Sequence, residues 1–211
     1  HIPPEERRDD SSFLLYRNLT ALFEDTVQTL NYPQLGLKLA EYQGMDILGP
    51  ISVIARSAAT VGDAIDSIAR YLHLHSPALC ISNTLCEHQD QPCIRFQFTI
   101  DESSSGGYRH QAYELSLSNS LQVMKLLCGD TFRLYSVHFM HARQAELDAY
   151  HDVFRCDAYF EQDWCGFYLP AAAFAMPLSS ADNTIPGSWR SVIWLPSKPP
   201  TPSRSAKMSP A

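Results

Sequence analysis

The sequence predicts an α+β fold, with a helical N-terminal half followed by a β-β-α-β-α-β order that forms an antiparallel sheet covered by helices. Two observations predict this class. Through residue 77, apolar residues recur at intervals of three and four, which is typical of amphipathic helices. From residue 78 onward, segments that alternate apolar and polar residues are separated by two further helical patterns.

Two helices are expected before residue 45. The first is Phe13–Leu30, whose apolar face is Leu15, Leu19, Leu22, Phe23 and Val27. Asn31-Tyr32-Pro33 ends this helix, and Leu35–Tyr42 forms a short second helix closed by Gly44.

The organising element is a helix that begins after Thr60. Thr60 is a suitable N-cap, and Asp63 three residues later gives the spacing of a capping box. The face of this helix is apolar at Val61, Ala64, Ile65, Ile68, Ala69 and Leu72. Gly49-Pro50 starts a shorter helical run ahead of it, and Pro77 closes the segment.

A β-hairpin is predicted next. Ala78–Leu85 and Cys93–Ile100 alternate as strands do, and a polar loop around Glu87–Gln91 joins them. In the second strand the apolar side chains point one way, and Arg95, Gln97 and Thr99 point the other way.

The remaining elements complete the predicted order. They are a helix at Tyr108–Cys128, a strand at Arg133–His141, a helix at Ala145–Phe154, an edge segment at Ala158–Glu161 and a strand at Cys165–Leu169. The helix within Tyr108–Cys128 has more leucines than one buried face requires. It is therefore buried on two sides or forms a dimer seam.

Composition indicates one folded domain. The chain has 211 residues, of which 45% are apolar, enough for a hydrophobic core. We expect a loose arm at residues 1–12, the folded domain at 13–182 and a Pro/Ser-rich tail at 183–211, where six of the 14 prolines lie. No membrane span or signal peptide is visible, which favours a cytoplasmic protein.

Charge and cysteine spacing exclude two classes of protein, nucleic-acid-binding domains and domains held by zinc or disulfides. Residues 1–183 contain 12 basic and 23 acidic residues, and an acidic body is unsuited to binding a nucleic-acid backbone. The six cysteines form no CxxC pair, so we expect reduced thiols instead of a zinc or disulfide framework.

A candidate ligand site lies on the second strand and on the helix after it. A small polar effector needs a few convergent donors and acceptors, and an arginine could bind a carboxylate while a glutamate binds an amine. The candidate residues are Arg95, Gln97, Tyr108, Arg109, His110, Tyr113 and Glu114. The alternative is a solvated sheet face and an exposed first helical turn.

Metal binding and catalysis are not expected. His73, His75, His138 and His141 lack a convincing ligand spacing, so no metal site and no cofactor is predicted. The sequence has no GxSxG elbow, GxGxxG loop or P-loop, and we expect that the protein is not an enzyme.

Several strings together resemble one known family. They are LGLKLAEY (35–42), LGPISVIARSAATVGDAIDSIARYLHLHSP (48–77), VHFMH (137–141), YHDVFRC (150–156), Tyr159-Phe160, Leu169-Pro170 and Met176-Pro177-Leu178. Their order over residues 13–182 resembles the arabinose-binding-like, N-terminal effector domain of AraC/XylS-type bacterial transcriptional regulators.

The resemblance implies a sensor domain that binds a small-molecule metabolite, such as an amino acid or carboxylate, and forms a homodimer. It also implies that DNA is bound only through a C-terminal helix-turn-helix domain, and we expect the Pro/Ser-rich tail to stand in the place of that domain here. The alternative, a ligand-free protein-interaction or dimerisation module, would be favoured if the fold contained no enclosed pocket.

Overall fold

The computed structural model describes residues 15–101 and 110–178, apart from the side chains of Met45 and Asp46. The predicted arm (1–12) and tail (183–211) lie outside the described residues, as do Tyr108 and Arg109. The division of the chain into three parts therefore stays a prediction.

The first half of the described chain is helical, as predicted. It contains α1 (Tyr16–Leu30), α2 (Leu35–Leu39), α3 (Pro50–Arg56) and α4 (Val61–His75), with 3₁₀ turns at Ala40–Tyr42 and Met45–Leu48 between α2 and α3.

Helix α4 begins where the sequence predicts. The Thr60 hydroxyl accepts a hydrogen bond from the Asp63 backbone N–H (3.1 Å) and donates one to the Asp63 carboxylate (2.8 Å). This reciprocal pair satisfies one of the backbone donors that a helix start leaves without a partner. The predicted apolar face is buried at Val61, Ala64, Ile65, Ile68 and Leu72.

The predicted apolar face of helix α1 is partly correct. Leu15 and Leu22, two members of that expected face, are 54% and 45% exposed. Phe23, another member, packs against the core as expected, and so does Tyr16, which the prediction left out. Thr20 is also buried, and its hydroxyl donates to the Arg17 carbonyl (3.0 Å). Leucine spacing identified the helix, but which side faces inward depends on the elements beneath it.

The second half forms a five-stranded sheet with helices, which confirms the α+β class. Its elements in chain order are β1 (Leu79–His88), β2 (Gln91–Ile100), α5 (His110–Cys128), β3 (Ser136–His138), α6 (Leu147–Phe154), β4 (Asp157–Tyr159), β5 (Gly166–Pro170) and α7 (Ala171–Phe174). The strand order is β1-β2-β5-β3-β4.

The sheet is mixed, whereas the prediction was an antiparallel sheet. Strands β3 and β4 pair in parallel, and the other neighbours are antiparallel. Helix α6 connects β3 to β4 and returns the chain in its original direction, which is how parallel neighbours are joined. Strand β3 is also shorter than the predicted Arg133–His141.

The β1–β2 hairpin is longer and tighter than predicted. Both strands extend into the expected loop and leave a two-residue turn at Gln89 and Asp90, with φ of 51° and 60°. Two positive φ values are typical of a type I′ turn, whose twist matches that of the flanking strands.

The two faces of the sheet differ in character. On the inner face, which α4 and α5 cover, Phe96 and Phe167 stack with ring centroids 4.5 Å apart. The outer face carries Arg95 and Tyr168, which are paired across β2 and β5. Gly166 is required where these strands meet, because it has a φ of 153° and an added Cβ would lie 2.0 Å from the Phe96 carbonyl oxygen.

Helix α5 is buried on two sides, which was one of the two predicted alternatives. It packs on the sheet and also against α2, where Gly36 approaches so closely that a Cβ would lie 2.4 Å from the Gln111 carbonyl oxygen. The Gln111 side chain accepts from the Gly36 N–H (2.7 Å) and donates to the Pro33 carbonyl (2.9 Å). Within the described ranges, no helix is long and apolar enough to cross a bilayer.

Candidate functional site

Among the residues that the structure describes, the members of the predicted site lie on opposite sides of the sheet. Arg95 and Gln97 lie on the outer face of β2, whereas Tyr113 and Glu114 belong to α5, which covers the inner face. Strand side chains alternate between faces, so a helix packed on the apolar side cannot complete a site with the polar side. Tyr108 and Arg109 lie outside the described residues, and a ligand-binding role for this set stays a prediction.

Arg95 belongs to an aromatic cluster on the outer face. Its guanidinium lies 4.2 Å from the centroid of the Trp164 ring, a cation–π contact. Trp164 also packs against Tyr168 (5.1 Å) and His138 (4.7 Å). Burial, together with the neighbouring His88, lowers the pKa of His138 to about 4, so His138 is neutral at pH 7. The cluster therefore already uses the aromatic and cationic groups that a ligand would need.

Glu114 is buried inside a network that joins α5 to α6. The Tyr150 hydroxyl donates to Glu114 Oε1 (2.5 Å) and accepts from the backbone N–H groups of Gln144 (3.2 Å) and Ala145 (3.3 Å). Burial raises the pKa of Glu114 to about 8, although the bond from Tyr150 opposes this shift. Glu114 is therefore protonated at pH 7 and acts as a structural link.

His141 and His110 lie beside this network. His141 Nε2 is 3.9 Å from Glu114 Oε1, and the rings of His141 and His110 are 5.0 Å apart. Burial lowers the pKa of His141 to about 4. His141 and Glu114 thus face each other as neutral groups at pH 7, and no ion pair forms between them.

The histidines considered for a metal site are dispersed. His73 and His75 lie at the end of α4, His138 packs in the outer cluster, and His141 faces Glu114. Among residues 15–101 and 110–178, no three His, Cys, Asp or Glu residues are grouped as metal ligands would be.

A cavity of about 390 Å³ lies between the helices and the inner face of the sheet, and we call it the central cavity. Helices α1, α2, α4 and α5, the 3₁₀ turn at Met45–Leu48 and strands β1 and β2 contribute to its wall. Most lining residues are apolar: Leu19, Phe23, Leu39, Ile47, Leu48, Ile65, Ile68, Leu72, Leu79, Phe96, Phe98, Ala112, Leu115 and Val123. The volume falls in the range of about 300–1,000 Å³ that is typical of small-molecule sites.

A small polar patch interrupts this apolar wall. Asn119 donates to Gln43 Oε1 (2.7 Å), and the buried Asn119 Oδ1 has no hydrogen-bond partner among the described residues. Nearby, Tyr16 is hydrogen-bonded to Ser116, and burial raises the pKa of Tyr16 to about 12. These side chains are neutral at pH 7, and no Asp, Glu, Lys or Arg is among the 20 described residues that line the cavity.

The sequence prediction missed this lining, although a signal was present. Ala112, Ser116, Asn119, Ser120 and Val123 follow a helical spacing, so they form one stripe along α5. Small and polar residues at these positions leave space that leucines would fill. A polar interruption of an apolar stripe is therefore the sequence signal for this cavity, which Arg95 and Glu114 do not line.

Comparison with known proteins agrees with the fold. Residues 1–178 match the family model described as the arabinose-binding domain of AraC transcription regulator, N-term. The HTH-type transcriptional regulator VirS from two Mycobacterium tuberculosis strains, CDC 1551 / Oshkosh and ATCC 25618 / H37Rv, is 34% identical over 181 residues in each case. That alignment covers 86% of this chain and 52% of VirS, so the chain spans about half the length of these relatives.

A solved structure shares the fold. The crystal structure of transcriptional regulator CdpR from Pseudomonas aeruginosa superposes with a TM-score of 0.61 at 22% identity, covering 77% of this chain and 51% of that chain. The family match over residues 1–178, together with the 34% identity to VirS, shows that this chain belongs to the arabinose-binding family of N-terminal domains in AraC-type transcription regulators.

Proposed function

We propose that this chain is the effector-sensing part of an AraC-type transcription regulator and that the effector binds in the central cavity. The single observation that supports this is a cavity of about 390 Å³ with apolar walls and a local polar patch. A hollow of this size that opens to solvent on one side suits a small molecule, whereas an interaction module without a ligand requires no such hollow.

The lining favours a neutral, largely apolar effector. A carboxylate or ammonium group would lose its hydration there without meeting an opposite charge on any of the described lining residues. Gln43 and Asn119 can hydrogen-bond one polar group of the ligand, with Asn119 Oδ1 as an available acceptor. The amino acid or carboxylate suggested by Arg95 and Glu114 is therefore a less suitable class than an apolar molecule with one polar end.

Arabinose, which the family description names, is also a poor match to these walls. Each of its carbons carries an oxygen atom, and burying such groups without hydrogen bonds is costly. The 14 apolar lining residues could not satisfy them.

Signalling would follow from the elements that the effector touches. A ligand in the central cavity contacts α1, α4, α5 and the sheet at once, so it can favour one arrangement of α1 over another. Binding changes an equilibrium only by its differential affinity for two states. Within this proposal the protein is a non-enzymatic, cytoplasmic homodimer, and DNA is bound by a separate domain of the regulator.

The first experiment measures binding of N-phenyl-1-naphthylamine, a neutral apolar fluorophore, to the full chain. We expect saturable fluorescence enhancement, which Ser120→Phe weakens by at least about tenfold, or about 1.4 kcal/mol. Ser120 lines the central cavity, and a phenyl ring at this position would occupy the ligand space. The matched control is Leu126→Phe, at a position on the same helix that is 61% exposed.

A panel of thermal-shift measurements then identifies the chemical class of the effector. Neutral apolar compounds, arabinose, amino acids and carboxylates are compared, since a ligand at about 100 times its Kd adds roughly 2.7 kcal/mol to folding. A shift from the apolar class that Ser120→Phe removes supports the proposal. No shift across the panel, together with a concentration-dependent melting temperature, would instead support the dimerisation module. The exposed Leu15, just before α1, and Leu22 within it offer apolar surface for such a dimer.

A further inference from the structure

Two cysteines face each other across the β1–β2 hairpin. Cys86 of β1 is paired directly with Cys93 of β2, and their Sγ atoms are 3.1 Å apart. Both are free thiols in the structure. We propose that Cys86 and Cys93 are an oxidisable dithiol site, which a hydroperoxide converts into a reversible disulfide across the hairpin.

The backbone already has a spacing that suits a disulfide. The Asp101 N–H donates to the Ala78 carbonyl (2.8 Å), which makes 78 and 101 a hydrogen-bonded pair. Hydrogen-bonded pairs recur every second residue, so Cys86 and Cys93 are also such a pair. Their Cα atoms are then about 5.5 Å apart, and disulfides most often span about 5.5–6 Å.

The turn keeps the two thiols opposed. Gln89 and Asp90 form a two-residue type I′ turn, and His88–Gln91 is the pair that closes it. A turn of fixed length fixes the register, and a slip by one residue would place the two side chains on opposite faces. Disulfide formation therefore requires rotation of side chains and little movement of the backbone.

The two cysteines have different roles in the reaction. Cys86 is half-buried and is the thiol that the oxidant can reach, whereas Cys93 is fully buried. Burial and the hydrogen bond with Cys86 raise the pKa of the Cys93 thiol to about 12, which makes Cys93 a poor first nucleophile.

The chemistry balances with the hydroperoxide as the only oxidant. The Cys86 thiolate attacks one oxygen of hydrogen peroxide, the O–O bond breaks, and a sulfenic acid and hydroxide form; the hydroxide takes up the proton that the thiol released and becomes water. Cys93 Sγ then attacks the sulfenic sulfur, an S–S bond forms, and the hydroxyl leaves as a second water. Each thiol gives up one proton, and the peroxide accepts both electrons.

Peroxide treatment of the full chain tests the site. The chain is exposed to hydrogen peroxide, denatured and alkylated with iodoacetamide, and the alkylated cysteines are counted by intact mass. We expect two of the six cysteines to become resistant and dithiothreitol to restore both. Peptide mapping must assign the resistant pair to Cys86 and Cys93.

Cys80→Ser is the matched control. Cys80 lies on the same strand and sheet face as Cys86 but is exposed and pairs with Thr99. Loss of two thiols should persist in Cys80→Ser and disappear in Cys86→Ser, a change at a half-buried position, and in Cys93→Ala. Melting curves confirm that each variant is folded.

Three results would overturn the proposal. They are six alkylated cysteines in the treated wild type, loss of two thiols in folded Cys86→Ser, and accumulation of Cys86 as sulfinic acid. In the last case, Cys93 would have failed to resolve the sulfenic acid.

Discussion

The two faces of the sheet have opposite organisation. The outer face has a cation, imidazoles and aromatic rings, and these groups contact one another: Arg95 stacks on Trp164, which packs on His138 and Tyr168. The inner face is apolar and well packed around Phe167, yet it is the face beside the central cavity. The charged and aromatic residues of the outer face thus contact one another, whereas the central cavity that we propose as the effector site is lined mostly by apolar residues.

This comparison teaches that residue type alone does not locate a site. Arginine and glutamate are natural partners for a polar effector, but Arg95 contacts a ring and Glu114 is a protonated link to Tyr150. A site also requires unfilled volume, which depends on how α1, α4 and α5 pack over the strands.

The largest expected effect comes from neighbouring residues on opposite faces of β5. Phe167 is fully buried, and Phe167→Ala should lower the free energy of unfolding by about 3–5 kcal/mol through lost contacts and a cavity. Tyr168→Ala, on the outer face, should cost about 1–2 kcal/mol. Urea unfolding of both variants measures the difference, and equal losses would show that the two faces contribute alike.

The next largest effect is a pH dependence of stability that arises at Glu114, on the helix that covers the inner face. The folded-state pKa of Glu114 is raised to about 8 from an ordinary 4.5, so the folded protein holds a proton that the unfolded chain releases. Its contribution to stability is present below pH 4.5 and is lost as pH rises to 8. The pKa values of His138 and His141, lowered to about 4, act in the opposite direction, mainly below their ordinary 6.5.

Between pH 6.5 and pH 8 the two histidines are at most half protonated in the unfolded chain and offset part of the Glu114 effect. Glu114→Gln keeps an acceptor for Tyr150 and both histidines but cannot ionise, so the comparison of the two proteins isolates Glu114. The stability of the wild type relative to Glu114→Gln should fall by about 2 kcal/mol over this interval, at up to about 1.4 kcal/mol per pH unit for one proton. Urea unfolding at both pH values measures this, and parallel curves for the two proteins would contradict the prediction.

The smallest effect tests whether the outer aromatic cluster and the central cavity are independent of each other. Arg95→Ala should reduce stability by about 0.5–1 kcal/mol through loss of the cation–π contact with Trp164. Its affinity for N-phenyl-1-naphthylamine should change by less than about twofold, because distant sites without shared partners are nearly independent. Fluorescence titration beside Ser120→Phe measures this. Loss of ligand binding in Arg95→Ala would support the sequence-based prediction that Arg95 contacts the effector.

The sequence by itself determined the local elements. The Thr60 cap, the apolar face of α4 and the alternation in β1 and β2 were predictable, because each depends on residues a few positions apart. The α+β class and the family resemblance followed from the order of these elements, and both are confirmed.

Only the tertiary structure decided which faces meet. The inward side of α1, the parallel pairing of β3 with β4, and the bond from Tyr150 to Glu114 across 36 residues all depend on distant parts of the chain. The central cavity also depends on distant parts of the chain, because it is the space that separate elements leave between them. Periodicity reports which residues share a side of one element, whereas packing determines what that side contacts.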